Sequence, residues 1–338
     1  YRVGLFTSPY LVEFRERIRM DGKNISEHDL ISCYETVMAA ERLLENQGFE
    51  PVNEFELVTA MGFLAFARAK VDYAVLEVGL GGRTDPTNLV KQPAVCCITS
   101  ISLDHTQILG DTLEKIAGEK AGIIKPEVPV VVAQQKPEVF GVIARQAKRV
   151  HAPLYVGQEV GPLQRDRQGS IFLCAGTALE IPLLGDYQME NAAAAWEITR
   201  VLELPEAAVK QAFRRVSWAG RLQYISGKPD YLIDAGHNPG GIDALCKTLR
   251  ELISDRRITA VVSMVKDKDY GVCIPEIAKT AEHVIGCTVG LPRSLTPEEI
   301  AKTAGAYTKA DWCEDVQGAL EKAQKDQGNL IVVCGSVF

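Results

Sequence analysis

The sequence predicts an α/β protein: a doubly wound parallel sheet occupying the larger part of the chain, followed by a smaller, Rossmann-like α/β unit. Three observations carry this. Short apolar runs alternate with helical patterns from the N-terminus onward, as in a parallel sheet with crossover helices. After residue 152 the pattern gives way to short β runs separated by Gly- and Asp-rich turns, and after Trp218 the β/α alternation restarts. A length of 338 residues suits about two domains. The boundary is placed at the restart, giving domains 1–217 and 218–338.

In chain order, 71–78 (VDYAVLEV), 94–101 (AVCCITSI) and 129–133 (PVVVA) are near-continuously apolar, as strands covered on both faces are. Helices are predicted at 26–47, 56–70 and 112–120, the first opened by Ser26 with Asp29 three residues on, the spacing of a helix cap. Residues 153–156, 171–174 and 179–183 read as antiparallel strands. Helices follow at 189–202, its apolar face built from alanines, and at 206–216. In the last third, 231–234, 260–265, 283–288 and 330–334 read as strands, with helices at 241–253 and 297–303 between them.

Composition narrows the function classes. There are 37 basic and 44 acidic residues, a net charge of −7, which disfavours a nucleic-acid-binding protein. The apolar runs are far too short to span a bilayer, and the first residues do not form a secretory signal. Nine cysteines without a C-x-x-C pair predict reduced, mostly buried thiols and a cytoplasmic protein.

Several clusters can carry chemistry. Glu77, Arg83 and Asp85 lie in EVGLGGRTDPTN, directly after a strand, where open α/β sheets place their ligands. The plain alternative is a tight turn with solvated charges. Asp104 and His105 follow the next strand and, with Glu77, could hold a divalent cation, although Mg²⁺ favours oxygen over imidazole. Lys120, flanked by small residues in AGEKAGIIKP, can pair on the surface, face a phosphate or be modified. Ser8 precedes Pro9, which reads as a turn or as a hydroxyl ligand to a metal. Arg221 and Asp234 flank the restart, and His237, Asn238 and Pro239 open a helix whose N-terminus favours anions.

Taken together, the order and spacing of TSPYL (7–11), ERI (16–18), FELVTAMGF (55–63), LEVGLGGRTDPTN (76–88), LDHTQILGDTLEKIAGEKAGIIK (103–125), GDYQMENAAAA (185–195), WAGRLQ (218–223), DAGHNPGG (234–241), DKDY (267–270) and CGS (334–336) resemble the folylpolyglutamate synthase/dihydrofolate synthase family of Mur ligases. The resemblance implies a Mur-ligase-like central ATPase and folate-binding domain and a C-terminal glutamate-binding domain. It implies an ATP-dependent ligase that joins L-glutamate to a folate or to dihydropteroate through an acyl phosphate. Ser8, Glu77 and His105 match the family's magnesium ligands, and Lys120 matches a lysine that is carbamylated. Glu77, His105 and Lys120 are thus the implied catalytic set. Asn191, Arg221, Asp234 and His237 match nucleotide contacts; Phe55, Arg83 and Asp85 match the folate side. A monomer with no nucleic-acid or membrane partner is expected.

The family's phosphate loop would precede TSPYL, and no G-x-x-x-x-G-K-[ST] occurs in the sequence. The start at Tyr1 therefore predicts a fragment that is inactive or nearly so by itself. Tyr10 stands where His is common in the family, and Ser102 where Gly is usual. Two other readings share the motifs: a Mur-type peptidoglycan amino-acid ligase, and a non-catalytic relative that binds nucleotide or folate. A nicotinamide oxidoreductase fits the fold class but lacks the glycine fingerprint.

Overall fold

The structure, a computed structural model, describes residues 1–326 and 330–336. It divides into two compact units, Tyr1–Val130 with Gln135–Leu154, and Val131–Gln134 with Tyr155–Phe338. The restart at 217/218 is a change of topology inside the second unit: helix Glu206–Phe213 ends before it and strand Gln223–Ile225 begins after it.

In the first unit, strands Lys23–Asn24, Ile18–Met20, Val3–Phe6 and Tyr73–Leu76 lie side by side in that order. Val3–Phe6 and Tyr73–Leu76 run parallel, with Phe6 opposite Leu76. Helices Glu27–Glu45 and Glu54–Ala69 supply the core: Cys33, Val58, Met61, Ala65 and Phe66 close over Phe6, Ile18 and Ile25. Each helix starts where the sequence supplies a cap. Ser26 Oγ accepts the Asp29 N–H, and Asn53 and Glu56 form a reciprocal capping box. Gly4 and Gly62 are needed for close packing, because a Cβ at Gly4 would sit 2.5 Å from the Phe66 ring and one at Gly62 would sit 2.9 Å from Phe6.

Tyr73–Leu76 is the part of the 71–78 run that forms a strand, and it is not covered on both faces as its apolar sequence suggests. It is the last strand of its sheet among the described residues, and Val75 is 54% exposed. Strands Cys96–Ile98, Val130–Val132 and Leu154–Val156 form a separate ladder. Helix Pro137–Arg149, which the sequence reading passed over, buries Val139, Ile143 and Ala147 at four-residue spacing.

The second unit begins with the antiparallel strands Val160–Asp166, Gly169–Cys174 and Thr177–Ile181. Helices Asp186–Val201 and Glu206–Phe213 cover them over Phe172, Leu179, Ile181, Met189 and Trp196. A six-stranded sheet follows, ordered Gln223–Ile225, Asp230–Asp234, Leu330–Cys334, Ile258–Val262, His283–Thr288 and Lys309–Asp315; only the first pair is antiparallel. Helices Pro239–Leu252, Tyr270–Thr280, Pro297–Ala304 and Val316–Lys325 connect the parallel strands, as in a doubly wound fold.

One polar cluster interrupts this apolar architecture. His283 is 4% exposed, and its Nδ1 lies 2.6 Å from Asp326 Oδ2 and its Nε2 2.9 Å from Asp311 Oδ2. Thr259 Oγ1 donates to Asp326, and Lys322 pairs with Asp311 at 3.0 Å. Strands Ile258–Val262, His283–Thr288 and Lys309–Asp315 are thereby tied to the end of helix Val316–Lys325. All nine cysteines are free thiols, as expected. Among the described residues no helix is long and apolar enough to cross a membrane.

Candidate active site

Two groups of the predicted residues assemble, one in each unit. In the first unit the parallel strands Val3–Phe6 and Tyr73–Leu76 end level with one another, and the Glu77 N–H donates to the Phe6 carbonyl at 2.9 Å. One step further the Ser8 N–H donates to Glu77 Oε2 at 2.8 Å. Residues 69 apart in sequence are thus brought side by side at the carboxyl end of a parallel pair. Both are solvent-accessible, and the Ser8–Pro9 peptide is cis.

The glycine-rich turn after Glu77 is fixed by its own carboxylate and by the helix behind it. Asp85, 6% exposed, accepts from the Leu80 N–H at 2.8 Å and from the Thr87 N–H at 2.9 Å. Gly79 lies flat on Phe55, where a Cβ would come within 2.3 Å of the ring. The Arg83 N–H donates to the Glu119 carbonyl at 3.0 Å, and its guanidinium reaches the Gly118 carbonyl and Glu119 Oε1. Gly82 adopts φ +151°, and its missing Cβ leaves room for Ile123 and the carbonyls of Glu119 and Lys120. Gly122 is equally tight against Arg83. The turn and the end of helix Leu113–Lys120 therefore interlock.

Lys120 is the last residue of that helix. Burial pushes its ammonium below the usual lysine range, against the opposing pull of the Asp104 and Asp85 carboxylates. A partly buried lysine with lowered basicity has a larger share of neutral, nucleophilic amine. His105 is exposed, in the left-handed conformation at φ +49°, with its N–H on Asp104 Oδ1 at 2.8 Å. The structure thus joins Ser8 to Glu77 and sets Lys120 in the field of Asp85 and Asp104. Asp104, read from the sequence as a candidate cation ligand, accepts the His105 N–H, and Glu119, which the sequence reading gave no catalytic role, pairs with Arg83.

Among the described residues no group of three or more His, Cys, Asp or Glu side chains is placed to enclose a metal. A serine hydroxyl and a glutamate carboxylate are oxygen donors of the hard kind that Mg²⁺ prefers, and the structure brings Ser8 to Glu77 through the Ser8 backbone N–H.

In the second unit, Asp234 ends its strand buried, its Oδ2 accepting the Leu222 N–H at 2.9 Å and its Oδ1 the Gly236 N–H at 2.8 Å. Desolvation pushes this carboxyl above the usual carboxylate range, although those two N–H groups, Arg221 and His237 pull the other way. Gly220, at φ +67°, turns the chain so that its carbonyl accepts the Ala235 N–H. His237 Nδ1 lies 3.0 Å from the Ala235 carbonyl, and Asn238 caps helix Pro239–Leu252 through the Gly241 N–H. On helix Asp186–Val201, Asn191 Nδ2 donates to Gln188 Oε1 at 3.3 Å. Tyr187, beside it, lies in the field of both Asp234 and Arg221. The sequence reading missed Gln188 and Tyr187, although both lie in the GDYQMENAAAA stretch.

The Mur ligase middle domain matches residues 51–199, and the Mur ligase glutamate ligase domain matches residues 220–337. The dihydrofolate synthase/folylpolyglutamate synthase of Bacillus subtilis is 32% identical over 100% of this chain and 82% of its own length. The chain belongs to the folylpolyglutamate synthase/dihydrofolate synthase family of Mur ligases. Folylpolyglutamate synthase from Lacticaseibacillus casei is 34% identical over 99% of this chain and 81% of its own length. Among solved structures, Mycobacterium tuberculosis folylpolyglutamate synthase complexed with ADP and AMPPCP superposes with a TM-score of 0.89 and 33% identity, covering 99% of this chain and 82% of that one. Escherichia coli FolC in complex with DHPP and ADP gives 0.87 and 31%, covering 100% and 80%. The family's folds are those of ATP-dependent ligases, in agreement with the two α/β architectures described above. The peptidoglycan and oxidoreductase readings fall away.

Proposed function

We propose that the protein joins L-glutamate to a folate, and to dihydropteroate, in an ATP-dependent reaction through an acyl phosphate. The observation that carries this is the Ser8–Glu77 pair at the strand ends, with the interlocked turn and Lys120 beside it. The acceptor carboxylate attacks the γ-phosphorus of ATP, and ADP departs. The glutamate amine then attacks the acyl carbon; a tetrahedral intermediate collapses, phosphate leaves and the amine proton is lost. Phosphoryl transfer of this kind depends on positioning and charge neutralisation.

Ser8, Glu77 and His105 are the residues that would hold Mg²⁺, which supplies charge neutralisation to the phosphates when bound. Lys120, made less basic by burial, is suited to carbamylation by CO₂, which forms the N–C bond and, counted from the ammonium, releases two protons, turning the cation into an anion. Phe55 against Gly79, with Arg83 and Asp85, supports a folate-side surface. Asn191, Arg221, Asp234 and His237 support a nucleotide site. The functional division follows the 217/218 boundary, with folate and phosphate chemistry before it and glutamate binding after it. The protein acts as a cytoplasmic monomer.

The test is ADP release by the full-length protein, with glutamate and either tetrahydrofolate or dihydropteroate as acceptor. Release dependent on both glutamate and acceptor is expected. Release that requires neither, or that proceeds only with a peptidoglycan precursor, overturns the reading.

A further inference from the structure

The ERI stretch at 16–18 carries a glutamate to which the functional reading gives no task. Strands Val3–Phe6 and Ile18–Met20 pair antiparallel, with Phe6 opposite Ile18, and the chain between them forms the loop that bears Ser8. The base of that loop is anchored. The Thr7 N–H donates to the Arg17 carbonyl at 3.1 Å, and Thr7 Oγ1 donates to the Glu16 carbonyl at 3.3 Å. Its outer part lies outside the core: residues 8–13 are all partly or fully exposed, and Val12 reaches 86%. A loop placed this way keeps its shape through the bonds of its main-chain groups.

Glu16 receives those bonds. Its Oε2 accepts the Leu11 N–H at 2.9 Å, and its Oε1 accepts the Val12 and Glu13 N–H groups, each at 3.0 Å. Glu16 sits at the third position of the short helix Phe14–Arg17, from which a carboxylate reaches back to the N–H of the residue before the helix, as in a capping box. Capping accounts for the Glu13 N–H alone. The Leu11 and Val12 N–H groups make the same carboxylate the hub of three consecutive amides, joined by charge-assisted hydrogen bonds. Arg19 lies 3.6 Å from Oε2 and holds the hub from the strand side. Between the hub and the anchored Thr7 stand Ser8, Pro9 and Tyr10. The ring of Pro9 locks its φ, and the Arg17 guanidinium lies 5.3 Å over the Tyr10 ring, so the link is stiff. At its far end the Ser8 N–H donates to Glu77 Oε2.

We infer that Glu16 is a positioning residue: by gathering the Leu11, Val12 and Glu13 amides it fixes the loop and holds Ser8 on Glu77. It acts through the loop and not on the reacting atoms. The consequence for Mg²⁺ rests on the role given to Ser8 in the proposed function, whereas the placement of Ser8 does not.

The experiment measures residue-level amide hydrogen exchange and the Mg²⁺ dependence of glutamate-dependent ADP release in the full-length wild type and Glu16→Ala. In the variant the Leu11, Val12 and Glu13 amides are expected to exchange about tenfold faster, and so is the Ser8 amide, whose partner is Glu77. Amides of helix Glu54–Ala69 are the reference and are expected to keep the wild-type rate. The Mg²⁺ concentration for half-maximal release is expected to rise by about tenfold or more. A merely local capping role would loosen residues 11–13 and leave Ser8 at the wild-type rate, and that result overturns the inference. Unchanged exchange at residues 11–13, or equal acceleration in the reference helix, overturns it as well. If Glu16→Ala does not fold, exchange of the wild type in low urea replaces it: the four loop amides are expected to open in one step, and independent opening of Ser8 refutes the tether. A loosened Ser8 with an unchanged Mg²⁺ requirement supports the tether and overturns the magnesium role of Ser8. A wild type without glutamate-dependent release overturns the proposed function, while the exchange rates still decide the inference.

Discussion

Gly82→Ala is the most direct test of the way the glycine-rich turn and the lysine helix are held together. At φ +151° an alanine is strained by about 1–3 kcal/mol. Its Cβ would also lie 2.9 Å from Ile123 Cγ2, 3.0 Å from the Glu119 carbonyl and 3.2 Å from the Lys120 carbonyl. Two of those three neighbours are backbone and cannot rotate away, so overpacking adds about 1–3 kcal/mol. The sum, roughly 2–6 kcal/mol, is a large part of a domain's stability. For a unit of this size it lowers the melting temperature by roughly 4–24 °C. The strain is relieved by pushing back the helix end that carries Lys120, and a shift near 1 Å there costs about 100-fold in turnover. Thermal melting by circular dichroism and glutamate-dependent ADP release measure the two effects. Gly22→Ala is the control: φ is +78°, nothing lies within 4 Å of the new methyl, and a loss of only about 1 kcal/mol with full activity is expected. A Gly82→Ala protein that melts with the wild type and turns over normally would refute the interlock.

Lys120→Met separates activity from stability. Burial lowers the folded pKa of the ammonium, so its favourable contribution exists only above the unfolded value of about 10.4 and is lost as the pH falls. At pH 7 the charged amine is a burden, and methionine is expected to match or exceed wild-type stability by about 1 kcal/mol in urea unfolding while turnover drops by about 100-fold or more. Asp234→Asn tests the opposite sign. The folded pKa of Asp234 is raised, so its contribution is complete below the unfolded value of about 3.9 and disappears as the pH rises through the folded value. The stability difference between wild type and variant should therefore narrow on going from pH 3 to pH 7, and a constant difference would contradict the burial argument. His283→Ala leaves Asp311 and Asp326 without the imidazole between them, and a loss of about 3 kcal/mol is expected in the same unfolding assay.

Much of the fold was legible because periodicity reports burial. The runs at 94–101 and 129–133 contain the strands Cys96–Ile98 and Val130–Val132, and 26–47 contains the helix Glu27–Glu45 with its Ser26 cap. Val3–Phe6 was missed because it is four residues long with a glycine inside it, and that glycine is explained only by Phe66, which lies far away in sequence. Lys309–Asp315 was missed because it is the outer strand of its sheet and largely polar. The 71–78 run misled because an apolar sequence does not show whether a neighbouring strand covers it.

The candidate site divides in the same way. The GLGG stretch was legible as a tight turn after a strand, but not that Gly82 lets it pack against the end of helix Leu113–Lys120. The Ser8–Glu77 hydrogen bond was not, because it depends on two strands adjacent in space and far apart in the chain. The carboxylate of Asp85 is occupied by the turn itself, which its residue type alone could not reveal. The inward-facing Gln188 was overlooked among residues that read simply as helix.

Tyr73–Leu76 is paired with a strand on one side only among the described residues, and its other margin carries a row of main-chain donors and acceptors. A strand that joined that margin in the same direction would finish level with Glu77. The loop leaving it would then emerge on the side of Glu77 away from Ser8, which makes the half-covered Val75 the marker of where a further backbone segment can reach Glu77.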